Sequence, residues 1–199
     1  FGNQVKLIKA TSYGDYAWDA DDLNTWDGTT KPDIYTTLNT TYYNTLESEW
    51  QNLIAESTWQ VGGMAYSSTN TAKQYHDVEV GTGQSEYEET MKIGLMYVSD
   101  YGYAASPENW IKSLDYVDGT NDYSNSTNTD NNWLYSASYE WTISRCSVNA
   151  NLAFRVGNTG LVYLDSVSTR NGVRPSFYLE SSVEFSGGSG SSADPYRIP

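Results

Sequence analysis

The sequence predicts an α+β fold in one domain. Helical periodicity is confined to the first third of the chain, short strand-like runs crowd the last third, and an irregular polar stretch separates them. With 199 residues the chain has the length of a single domain and can bury a core without disulfides. No repeat or linker divides it, so residues 1–199 are read as one unit, with 186–199 as a flexible tail.

Each element has a local signature. Val5-Lys6-Leu7-Ile8-Lys9 alternates as a strand does. Residues 14–28 hold Asp15, Asp19, Asp21, Asp22 and Asp27 beside Trp18 and Trp26, and read as a loop. Pro32 suits a first helical turn, after which Ile34, Leu38 and Tyr42 recur every four residues. Leu46, Trp50, Leu53 and Ile54 continue at spacings of three to four, so two short helices are expected, the second opened by a capping pair of Asn44 and Glu47. The pattern turns strand-like at Trp59 and then polar through His76 to Glu89, an excursion. KIGLMYVS, residues 92–99, is a dense apolar run expected to form a buried central strand. Residues 115–132 carry almost no apolar side chains and predict a long loop. Strands are then expected at 139–143, 152–156, 161–164 and 173–179, with 157–160 as a hairpin turn.

Composition narrows the function. Twenty-five acidic against 11 basic side chains give a net charge of −14, which repels phosphate backbones and anionic membranes and argues against nucleic-acid partners. Aromatic residues reach 15%, far above the level of disordered chains, so the chain should fold. One cysteine, Cys146, and one histidine, His76, rule out an intramolecular disulfide, a Cys/His zinc site and a CxxC redox pair. The acidic loop at 15–27 lacks EF-hand spacing, because Leu23 and Asn24 fall where a ligand and a glycine belong, so no metal or other cofactor is expected. Carboxylates are plentiful but nothing singles out a working pair, and the chain is read as non-enzymatic. No apolar run is long enough to span a membrane.

A resemblance enters through an ordered set of motifs: KIGLMYVSDYGYA at 92–104, Trp133-Leu134-Tyr135, Trp141-Thr142-Ile143-Ser144, Gly172-Val173-Arg174-Pro175, and the closing GGSGSSADPY. Together with Leu38-Asn39 they resemble a family of secreted or surface-anchored bacterial proteins that is similar to C-type-lectin-like folds of the formylglycine-generating-enzyme type. The resemblance implies two helices packed on small twisted antiparallel sheets with long loops, a ligand face near the C-terminus, and an extracellular or cell-surface location. It implies neither oxidase chemistry, for which the cysteine pair is missing, nor calcium-dependent sugar binding. The nearest fragments, Ser106-Pro107-Glu108-Asn109 and Asn131-Asn132-Trp133, do not match the lectin ligand motifs.

On that reading the chain is an adhesion or recognition module for an extracellular protein or carbohydrate. It would be part of a longer surface protein that meets a membrane only through an anchor outside this sequence. A structural subunit of a surface appendage and a hypervariable lectin-fold receptor are the alternatives. The candidate contact residues are Arg145, Asn149, Asn151, Asp165 and Arg170, on segments that a lectin-like fold would bring together, with Trp110 and Trp133 flanking the long polar loop. Trp18, Trp50, Trp59 and Trp141 are assigned to the core, Cys146 is expected to be half-buried, and Arg174 is expected in a fixed ion pair with Asp100.

Overall fold

A computed structural model describes residues 4–81, 87–114, 132–189 and 193–198, so the expected loop at 115–132 falls almost entirely outside the described residues. The chain is a mixed α+β protein, with three small sheets among the described residues. In chain order the elements begin with β1 (Lys6–Ile8), β2 (Gly14–Ala17), α1 (Asp33–Thr36), α2 (Ser48–Leu53) and β3 (Ser57–Gln60). They continue with α3 (Ala72–Glu79), β4 (Glu88–Met91), β5 (Ile93–Gly94), α4 (Val98–Tyr103) and β6 (Glu140–Arg145). The last four are β7 (Leu152–Val156), β8 (Val162–Ser166), β9 (Arg170–Val173) and β10 (Ser176–Tyr178).

The five-stranded sheet runs β2-β9-β6-β7-β8, antiparallel except where β6 lies parallel to β9; a three-stranded sheet runs β1-β10-β5, and β3 pairs with β4. The turn at 157–160 forms as expected, with Gly157 N donating to Leu161 O and Gly160 at φ 82°, where a side chain would be strained. Four described α-helices replace the two expected. The first runs on into a π-helical stretch, Thr37–Tyr42, because Asn39 turns inward: its Oδ1 accepts from Lys92 N and Ile93 N while its Nδ2 donates to Ile93 O. Asn44 caps nothing, since the second helix starts from Glu47, without a side-chain cap bond.

Two strand expectations are corrected. Only Ile93–Gly94 of the 92–99 run pairs, and Val98 opens a helix, because Asn39 already serves the β5 backbone and the run is buried on both sides. The 173–179 run is two strands in two sheets, bridged at Arg174-Pro175, where proline removes a ladder donor. Arg174 does form a buried ion pair, but with Glu140, Nη2 to Oε2 at 2.8 Å, and Asp100 pairs with Lys6 instead. Arg174 also donates to Leu134 O, tying the segment after the long loop to the sheet junction. The described part of the tail closes on itself through Ser186 N to Arg197 O and a stacked Phe185–Tyr196 pair, and 190–192 lies outside the described residues.

Four indoles form the heart of the core: Trp18, Trp26, Trp59 and Trp141 are all at most 1% exposed. Each indole N–H is spent, on Thr142 O, Glu89 Oε2, Met91 O and Tyr16 O respectively. Trp26, placed in a loop by the sequence, is therefore core, whereas Trp50 is partly exposed and packs edge-on against Phe177. Cys146 is fully buried rather than half-buried, at the isolated bridge between Met64 and the end of β6.

Arg174→Leu should destabilise the fold by about 3–5 kcal/mol, because it leaves the Glu140 carboxylate buried alone, and a companion Glu140→Leu change should recover much of that loss. Chemical denaturation of the single and double variants checks this, and equal losses in both would disprove it.

Candidate functional site

The site grows from the packing of two helices. Thr71 caps α3 through a reciprocal box with Gln74, and the capped helix places Ala72, Tyr75 and Glu79 inward. Gly102 on α4 lets the helices close up, since a Cβ there would lie 2.6 Å from that of Ala72. The two helices stand beside the three-stranded sheet and leave a cavity of about 460 Å³ against it.

The cavity floor is apolar, made by Leu7, Ile8, Met96, Ala104 and Leu134. His76, Tyr103 and Trp133 form its rim, and Trp133 is 70% exposed. The aromatic edge extends outward, with His76, Tyr103 and Trp110 meeting edge-to-face at 6.0 and 5.1 Å. Trp110 is itself fixed by a bond from Nε1 to Ala105 O.

Lys6 and Asp100 make the inner wall. Lys6 Nζ lies 4.9, 4.6 and 5.6 Å from the ring centroids of Trp59, Tyr97 and Tyr178, and 2.5 Å from Asp100 Oδ2. This box exists because Gly94 leaves room for the Trp59 indole to lie on β5, where a Cβ would meet it at 2.6 Å. Asp100 Oδ2 also accepts from Tyr97 N at 2.8 Å.

Behind the wall Glu79 is fully enclosed, accepting from Val98 N and Ser99 N at 2.9 Å each and from the Ser144 hydroxyl. Burial pushes its carboxyl up to about 7, against the pull of those donors and with a small further push from Asp100.

The expected contact residues divide. Asn149, Asn151 and the 165–168 segment do converge: Val167 N donates to Asn151 O, and Asp22 accepts from Asn151 Nδ2, Ser166 Oγ and Ser168 Oγ. Those donors hold the Asp22 carboxyl below the usual range. Asn149 supports the turn, its carbonyl accepting from Asn24 Nδ2 at 2.8 Å. Asp165 pairs with Arg155 at 2.8 Å. Arg145 and Arg170 line different depressions, the first donating to Val61 O beneath Tyr87, the second donating to Asp15 O beside Tyr16. Trp133 belongs to the cavity rim instead, and Trp110 packs against the rim residue Tyr103 from outside the cavity.

Sequence reading missed Lys6, His76, Asp100 and Tyr103 as cavity residues. The one local signal for the helix that carries His76 is the T-x-x-Q box at Thr71 and Gln74, followed by inward spacing at Ala72, Tyr75 and Glu79. Among the described residues no group of three or more His, Cys, Asp or Glu side chains could hold a metal ion. No family, curated protein or solved structure matches this chain.

The Glu79 carboxyl binds its proton more tightly in the folded than in the unfolded chain, where its value is near 4.5, so its contribution to stability is complete below that value. The contribution falls as pH rises from about 4.5 through about 7, by about 3 kcal/mol in total. Denaturation curves across this range should show the loss, and Glu79→Gln, though less stable overall, should flatten it.

Proposed function

We propose that this protein is a non-enzymatic extracellular recognition module, C-type-lectin-like in fold, that binds a glycan or protein ligand at the cavity between α3, α4 and the three-stranded sheet. The observation that carries this reading is the combination of an apolar floor, an exposed aromatic rim of Trp133, Tyr103 and His76, and a fixed ion pair at the inner wall. Binding sites are commonly concave and largely apolar, with a few placed polar groups that orient the ligand. The cavity is larger than one hexose or one aromatic side chain needs, and a tryptophan face buries either at low entropy cost.

The polar groups here favour binding over catalysis. Lys6 and Asp100 are bonded to each other, and His76 Nδ1 is 3.9 Å from Asp77, too far for the bond that would orient a general base. The C-type-lectin-like assignment is supported by helices set beside small antiparallel sheets, and extracellular placement by the motif resemblance alone. The acidic surface charge disfavours anionic partners and leaves neutral or cationic ones.

A glycan and peptide array probed with the purified protein supplies the ligand. Trp133→Ala should then weaken binding tenfold or more while leaving the thermal midpoint within about 2 °C, as expected for a largely exposed side chain. If Trp133→Ala is silent and Arg145→Ala or Arg170→Ala weakens binding, the contact surface is the C-terminal loops and the cavity assignment is wrong.

A further inference from the structure

The Lys6–Asp100 pair holds an amine and a carboxyl in one place, 94 positions apart in sequence, within an enclosure of three buried rings. We propose that Lys6 Nζ and Asp100 Cγ condense to an intramolecular amide, so that the ion pair is the precursor of a covalent cross-link between the edge strand β1 and helix α4.

Three features of the site favour the bond. Proximity is the first: Nζ lies 2.5 Å from Oδ2, and β1 and α4 are both anchored, Lys6 opposite Tyr178 in the sheet and Asp100 in the first turn of its helix. Reacting groups fixed in this way reach effective molarities of about 10⁵–10⁸ M, which removes about 7–11 kcal/mol of the barrier to their reaction. A partly desolvated setting is the second: Nζ packs against Trp59, Tyr97 and Tyr178, each at most 4% exposed, and the Lys6 and Asp100 side chains keep 17% and 23% exposure where they line the cavity. The third is a donor for developing charge: Tyr97 N–H already points at Oδ2 from 2.8 Å, where the oxyanion of the addition intermediate would form.

The cation–π attraction of the rings opposes loss of the ammonium charge, and the proximity gain exceeds it.

The bookkeeping closes within the pair. One ammonium proton passes to the carboxylate, the freed lone pair of Nζ adds to Cγ, and Oδ1 departs as water with that proton and a second one from Nζ. The third hydrogen stays on the amide nitrogen, and Oδ2 becomes the carbonyl held by Tyr97 N–H. No oxidant, metal or external acyl donor is required. The product keeps one donor and one acceptor at the inner wall of the cavity, so the cross-link stands or falls independently of ligand binding.

Intact-mass measurement of the full chain under denaturing conditions tests the bond. The protein should be lighter than its sequence by one water, and proteolysis should yield a branched peptide joining the segment of Lys6 to that of Asp100. Lys6→Arg, which keeps the positive charge, and Asp100→Ala should each restore the full sequence mass. Dehydration of Asp27-Gly28 to a succinimide would cost the same water but would survive Lys6→Arg. A wild-type chain at its full sequence mass, or a deficit that persists in Lys6→Arg, overturns the proposal.

Discussion

The arrangement around the cavity depends on how the first turn of α4 is satisfied. Tyr97, Val98 and Ser99 present three consecutive N–H groups with no partner inside the helix, and two carboxylates take them. Asp100 folds back on Tyr97, and Glu79 reaches across from the end of α3 to the other two. The helices are thereby locked in register, and because Glu79 also receives the Ser144 hydroxyl, the lock extends to the five-stranded sheet. Burying a carboxylate this completely is costly, and the raised proton affinity of Glu79 is the expression of that cost.

A second constraint follows from composition. The chain has 11 basic side chains among 29 aromatic ones, and many of the cations are committed to ring faces: Lys6, Lys31, Lys92, Arg145, Arg155 and Arg170 all lie over tyrosine or tryptophan. Arg155 lies between Tyr139 and Tyr163, 4.2 Å from each centroid, while its Nε faces Asp165. The positive charge therefore serves to hold strands and loops together, and acidic groups dominate what remains at the surface. On the proposed reading, this distribution would suit a ligand recognised by shape, stacking and neutral hydrogen bonds rather than by anion capture.

The loops near the C-terminus are organised differently from the cavity. Asp22, held at φ 60°, gathers Asn151, Ser166 and Ser168, while the Asn24 amide lies within 2.8 Å of three carbonyls of the β6–β7 turn. An acidic stretch that reads as a solvated loop is thus a clasp between distant strands. Its carboxylates accept from backbone, amide and hydroxyl donors, and the Asn24 amide donates to backbone carbonyls, satisfying groups that short, irregular connections leave open.

The sequence alone determined what local pattern can carry: the α+β class, β1, the hairpin at 157–160, β7, and the burial of Trp18, Trp59 and Trp141. Two-residue and 3.6-residue periodicities, a paired-glycine turn and large apolar side chains each act over a few positions, so they are legible in a string. Runs buried on every side lose that periodicity, which is why 92–99 did not disclose its change from strand to helix, nor 173–179 its passage between sheets. The partners of Arg174, Lys6 and Glu79, and with them the cavity, were decided only by tertiary structure. Lys6 and Asp100 carry no mutual signal across 94 positions: a charge pair is selected by where the backbone brings two elements together, and here that placement rests on Gly94, Gly102 and the Asn39 clamp acting at once.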